Sequence, residues 1–134
     1  MIDIENEVFD RVAKRVREQF PNIFMVGEYV KSPPSLPASS LMEVDNSTRT
    51  STVDSGSNEN HANVMYEANT YSNKITGKKS ECKAIMALID MEMIAMGFER
   101  VTLTAVPNEY DSTIHRMVGR YRATVSSDHK IFRR

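Results

Sequence analysis

The stretch Ser80–Gly97, SECKAIMALIDMEMIAMG, decides how this chain folds. Cys82, Ile85, Met86, Ile89, Met93 and Met96 recur at helical spacing and form one apolar stripe. Gly97 follows as a natural C-cap, because glycine adopts the left-handed conformation most readily. Ala84, Leu88, Met91, Ala95 and Phe98 form a second stripe, turned away from the first. A helix on the surface of a monomer shows one apolar stripe. Two stripes require two covers: the protein's own sheet, and either another helix of the same fold or a neighbouring chain. Methionine adapts to irregular contacts and is common at binding surfaces, which makes Met91 and Met93 candidate subunit-interface residues. Asp90 and Glu92 leave the segment too charged, and too short, to span a bilayer.

Outward from this helix, the flanks read as strands. Ala62–Ser72 precedes it, with Val64, Tyr66 and Ala68 on one face and Glu67 and Asn69 on the other. Arg100–Val106 follows, with Val101, Leu103 and Ala105 expected inward. After a turn at Pro107–Ser112 comes the longest strand, Thr113–Ser126, with Met117, Tyr121, Ala123 and Val125 sharing one face. Arg116, Arg120 and Arg122 share the other. Three guanidiniums cannot sit unpaired in a dry core, and inter-subunit salt bridges are the expectation for them. Residues 127–134 form a basic tail.

Towards the N-terminus, Ile4, Val8, Val12, Val16 and Phe20 recur every fourth residue, an amphipathic helix over residues 3–20 that Pro21 stops. Its acids crowd the first half and its bases the second, as the helix dipole favours. Ile23–Val30 reads as a strand with a bulge at Gly27. Pro33, Pro34 and Pro37 impose an extended connection. Leu41–Thr48 reads as a strand with Met42 and Val44 on one face. Residues 46–63 are almost wholly polar, a long hairpin loop. The order helix, three strands, helix, two strands predicts one α+β domain over residues 1–134. In it two helices pack on one face of a mainly antiparallel five-stranded sheet.

The 134 residues carry 17 Lys and Arg against 18 Asp and Glu, a net charge of -1. That excludes a nucleic-acid binder held by overall charge, though not contact through a local patch. The charge is uneven: -1 over residues 1–27, -4 over 28–72 and +4 over 73–134. Oppositely charged regions suit head-to-tail docking of copies. A single cysteine, Cys82, rules out an intramolecular disulfide and a thiolate zinc site. The acidic N-terminus lacks the pattern of a secretory signal.

Catalytic patterns are sparse. His61, His115 and His129 are not spaced as metal ligands. Gly77-Lys78-Lys79-Ser80 lacks the upstream glycine of a phosphate-binding loop, where Ser72 stands. Glu109 and Asp111, in a turn, could hold a divalent cation. They define an alternative in which the chain is a cytoplasmic enzyme.

The segment 62–126 resembles tail-terminator, or tail-to-head joining, proteins of long-tailed bacteriophages. The resemblance rests on Tyr71-Ser72-Asn73, on Gly77 through Cys82, and on Gly97-Phe98-Glu99-Arg100. Pro107-Asn108-Glu109, and Asp111 followed by Arg116 and Tyr121, complete it. It implies a structural virion protein, assembled in the host cytoplasm, with neither catalysis nor cofactor nor membrane. Such proteins form a hexameric ring that caps the tail tube, ends its growth and joins it to the head-completion (stopper) protein. DNA passes through the channel without specific binding. Under this reading Asp45, Arg49, Asp54 and Glu59 lie on a loop facing the channel or a neighbouring ring. A stopper ring of the same neck is the nearest alternative.

Overall fold

The structure, a computed structural model, describes residues 1–30, 32–48, 60–108 and 111–132. Helix α1 (Glu5–Gln19) is followed by strands β1 (Phe24–Val26), β2 (Ala38–Thr48) and β3 (His61–Ser72). Helix α2 (Lys78–Met96) and strands β4 (Glu99–Val106), β5 (His115–Ser126) and β6 (Ile131–Phe132) complete the chain. The fold is α+β, with two helices on a six-stranded sheet.

The sheet is mixed. Its order is β1-β2-β3-β5-β4, with β6 added to β5. Strand β1 runs parallel to β2, pairing Phe24–Val26 with Ala38–Ser40. The expected strand 23–30 therefore shrinks to three residues. The basic tail supplies a strand of its own: Ile131 pairs with Val125, and Phe132 with Thr124. The other pairings are antiparallel hairpins or neighbours. Strand β5 inserts between β3 and β4, so α2 carries the chain from β3 over β5 to a parallel β4. Such a crossover needs a long connection, and the helix supplies it. Strand β2 runs to Thr48 and β3 starts at His61, and residues 49–59 of the expected 46–63 loop lie outside the described residues.

Two bulges overturn the simple alternation. Between Glu43 and Asp45 the register shifts, and Val44 turns outward, 43% exposed. Between Arg100 and Thr102 the same occurs, and Val101 is 44% exposed rather than inward. An extra residue in one strand reverses the facing of the residues beyond it.

The core lies between the sheet and the two helices. Val8, Val12, Ala13 and Val16 of α1 are buried, as are Cys82, Ile85, Met86, Leu88, Ile89 and Met93 of α2. Tyr66 and Phe98 meet edge to face, ring centroids 5.3 Å apart, a favoured aromatic geometry. The end of α2 is a Schellman motif: Gly97 N–H donates to Ile94 O and Phe98 N–H to Met93 O, both at 3.0 Å. Gly97 has φ 110°, and a Cβ there would come 3.2 Å from Ile131 O. Glycine is thus required twice, for conformation and for space. The helices are tied by Arg11, whose Nε donates to Glu92 Oε2 at 3.0 Å.

Candidate functional site

Helix α2 divides its apolar surface in a way its sequence does not reveal. The face with Cys82, Ile85, Met86, Ile89 and Met93 is buried on the sheet. Ala84, Ala87, Met91, Ile94 and Ala95 lie outward and are exposed. Met93 is 0% exposed and Met91 57% exposed. Met93 is therefore core and cannot contact a neighbour, which corrects the expectation for it. Met91 remains a candidate contact. Beside this stripe, β4 has no buried residue along its whole length and forms a sheet edge.

The three arginines stand on the helix-free face of the sheet, and each is bonded within the chain. Arg116 Nε and Nη2 donate to Asn69 Oδ1 at 3.1 and 2.7 Å, and its guanidinium lies 5.7 Å from the Tyr71 ring centroid. Arg120 stands opposite Glu67 in the register, and its Nε and Nη2 donate to Glu67 Oε1 at 3.2 and 3.1 Å. Arg122 Nε donates to Glu99 Oε2 at 3.0 Å across the β4–β5 pair. Asn69 Nδ2 also donates to Glu67 Oε2 at 3.2 Å. These cross-strand pairs are the ordinary currency of sheet stability. The expected inter-subunit bridges are not needed to satisfy these groups.

Asp45 is exposed just after the β2 bulge. Arg49, Asp54 and Glu59 lie outside the described residues, as does Glu109. Asp111 is exposed and closes its own turn: its Oδ1 accepts from Thr113 N–H at 2.9 Å and from Thr113 Oγ1 at 2.6 Å. Those bonds hold its carboxyl below the usual range. Among the described residues no group of three His, Cys, Asp or Glu could hold a metal ion. Among them also, no helix is long and apolar enough to cross a membrane.

Two charged clusters escaped the sequence reading. At the N-terminus of α1, Glu5 Oε2 accepts the Glu43 N–H at 2.7 Å, and Asn46 Nδ2 donates to Ile2 O at 2.8 Å. This brings Asp3, Glu5 and Glu43 together at the outer edge of β2. The Glu43 carboxyl is raised, chiefly by burial and then by Asp3 and Glu5, against hydrogen bonds from Asn46 and Tyr66. At the opposite edge of the sheet, Lys78, Lys79 and Lys83 cluster on the first turns of α2. His115 beneath them is held below the ordinary histidine range by burial and then by these lysines. A cleft of about 400 Å³ opens there, lined by Lys78, Val106, Pro107, Ser112, His115 and Arg116 among others. Cys82 is buried and its thiol is pushed up to about 12, mainly by burial, so it is not a nucleophile at neutral pH. The acids near the start of α1 were visible in the sequence, but as partners of the helix dipole. Their convergence with Glu43 depends on a residue of β2, distant in the chain.

No family model and no curated protein matches this chain.

Proposed function

We propose that this chain is a structural subunit whose work is done in contact with copies of itself. We further propose that it forms a tail-terminator ring, capping a phage tail tube and joining it to the head. The observation that carries the self-assembly is the outward stripe of α2, with Met91 at its centre. A helix with two apolar stripes needs a cover for each. Here the sheet and α1 cover only part of it, and β4 beside it has no fully buried residue. Contiguous exposed apolar surface of this kind marks an interaction site. The terminator assignment adds the resemblance of residues 62–126 to this physical reading.

The test is sedimentation of the purified chain, alone and with purified tail tubes, followed by electron microscopy of the tube ends. Capped tubes that no longer elongate support the terminator reading. Binding to head connectors alone would make the protein a stopper. A chain that neither self-associates nor touches tubes or connectors refutes the proposal.

A further inference from the structure

The acidic and basic clusters sit on opposite edges of one sheet. Glu43 stands level with Tyr66 and Tyr121, whereas the lysines gather over His115, six residues further along β5, or about 20 Å at the strand rise. That exceeds the screening length of about 8 Å at physiological salt. Neither cluster can neutralise the other within one protomer. Among the described residues Asp3, Glu5, Glu43 and Asp45 form no direct ion pair, and neither do Lys78, Lys79 and Lys83. The acids nearest the lysines, Asp111 and Glu81, are hydrogen-bonded to hydroxyls but keep their charge, so they offset the three lysines only in part. Asp111 is bonded to Thr113, and Glu81 Oε1 accepts from the Ser72 hydroxyl at 2.6 Å. Lys78 Nζ donates its hydrogen bond to a carbonyl, Thr113 O, at 3.1 Å.

Each cluster also carries apolar surface. Val44 bulges out among the carboxylates. Ala84, Ala87 and Met91 continue the exposed face of α2 beyond the lysines, and Ala105, Val106 and Pro107 line the cleft beside them. A phosphate chain would match the lysines but leave this apolar surface wet. A second copy matches both.

We propose that copies dock head to tail, the β2 edge of one (Asp3, Glu5, Glu43, Val44, Asp45) against the α2–β4 edge of the next (Lys78, Lys79, Lys83, Met91). This rests on the self-assembly proposed above and specifies which surfaces meet. Such a contact uses two different patches, so it propagates from subunit to subunit and closes into a ring when the rotation allows. Complementary potential fixes its register, and like charges placed face to face oppose it strongly.

Charge exchange tests this. Lys79→Glu/Lys83→Glu turns the basic edge acidic, and Asp3→Lys/Asp45→Lys turns the acidic edge basic. All four side chains are exposed, and circular dichroism checks that each variant folds. Each variant alone should associate about 100-fold more weakly than wild type, by sedimentation. Mixed in equal amounts, the two should regain assembly, because a strictly alternating ring makes every contact complementary again. Oligomers from the mixture should then hold even numbers of subunits by native mass spectrometry. If both variants assemble like wild type while Met91→Lys does not, self-assembly stands and this interface is wrong. Variants that fail alone and fail together also overturn it. Wild type that stays monomeric with and without tail tubes overturns the self-assembly reading itself. If Lys79→Glu/Lys83→Glu instead loses only affinity for a DNA oligonucleotide or inorganic phosphate, the lysines serve an anion and the docking proposal fails.

Discussion

Met91 and Met93 stand two residues apart on one helix, and the structure assigns them opposite consequences. Met93 is fully enclosed, and Met91 is more than half exposed. Truncating a buried methionine removes its transfer free energy and leaves a cavity, at a cost of about 2–5 kcal/mol. A chain of 134 residues unfolds with an entropy of roughly 0.28 kcal/mol/K, at about 2.1 cal/mol/K per residue. A mid-range loss of about 3 kcal/mol in Met93→Ala therefore lowers the melting temperature by about 11 °C. Met91→Ala, at an exposed site in a helix that favours alanine, stays within about 0.5 kcal/mol, or about 2 °C. The assay is thermal melting by far-UV circular dichroism, at dilution where wild type is protomeric, since assembly would add its own stabilisation. The same samples at high concentration give the association state by sedimentation. Met91→Ala should weaken association, and Met93→Ala should not do so beyond its loss of folded protein. Equal melting shifts for the two variants, at dilution, would falsify the division of α2 into a core face and an outward face.

Other outcomes rest on single contacts. Glu43→Gln should raise stability at neutral pH. The folded carboxyl titrates above its unfolded value of 4.5, so wild type gains stability as pH falls through the folded value. Melting curves from about pH 7 to about pH 4 should show the advantage of the glutamine variant shrinking toward acid, and a constant advantage would count against the carboxylate cluster. A Cβ at Gly119 would lie 2.9 Å from Met86 Cε and 3.3 Å from Leu103 Cδ1. Gly119→Ala should therefore cost about 1–3 kcal/mol, and noticeably less in a Met86→Ala background, as a double-mutant cycle by denaturant unfolding would show. Tyr121→Phe removes a 2.8 Å hydrogen bond from a buried hydroxyl to Asp90 Oδ1. A loss of about 1.5–3 kcal/mol is expected, and an unchanged unfolding midpoint would contradict the contact. In Lys79→Glu/Lys83→Glu, His115 should titrate at higher pH by NMR, because two of the cations that oppose its protonation are gone.

Local pattern made both helices legible. The every-fourth-residue valines of α1 and the three-four spacing of α2 each name a buried face, and Gly97 marks the stop because only glycine fits there. The alternation of β3 and β5 likewise places Tyr66, Tyr121 and their neighbours inward. Strand β1 was half legible, since a run of apolar residues does not say where pairing ends or in which direction it runs. The bulges at Val44 and Val101 were not legible at all, because a register shift belongs to a pair of strands and not to either one.

The candidate site divides along the same line. By itself the sequence determined that α2 carries two apolar stripes, that three arginines share a strand face, and that charge is unevenly spread. Only the tertiary structure decided that Met93 is covered and Met91 is not, since a helix with two apolar stripes does not say by itself which of them the sheet takes. It also decided that Glu67, Asn69 and Glu99 answer the arginines, and that carboxylates and lysines gather on opposite sheet edges. Those encounters join residues up to 53 positions apart in the case of Arg120 and Glu67. Periodicity fixes the face a side chain takes, whereas strand order and register fix which side chain it meets.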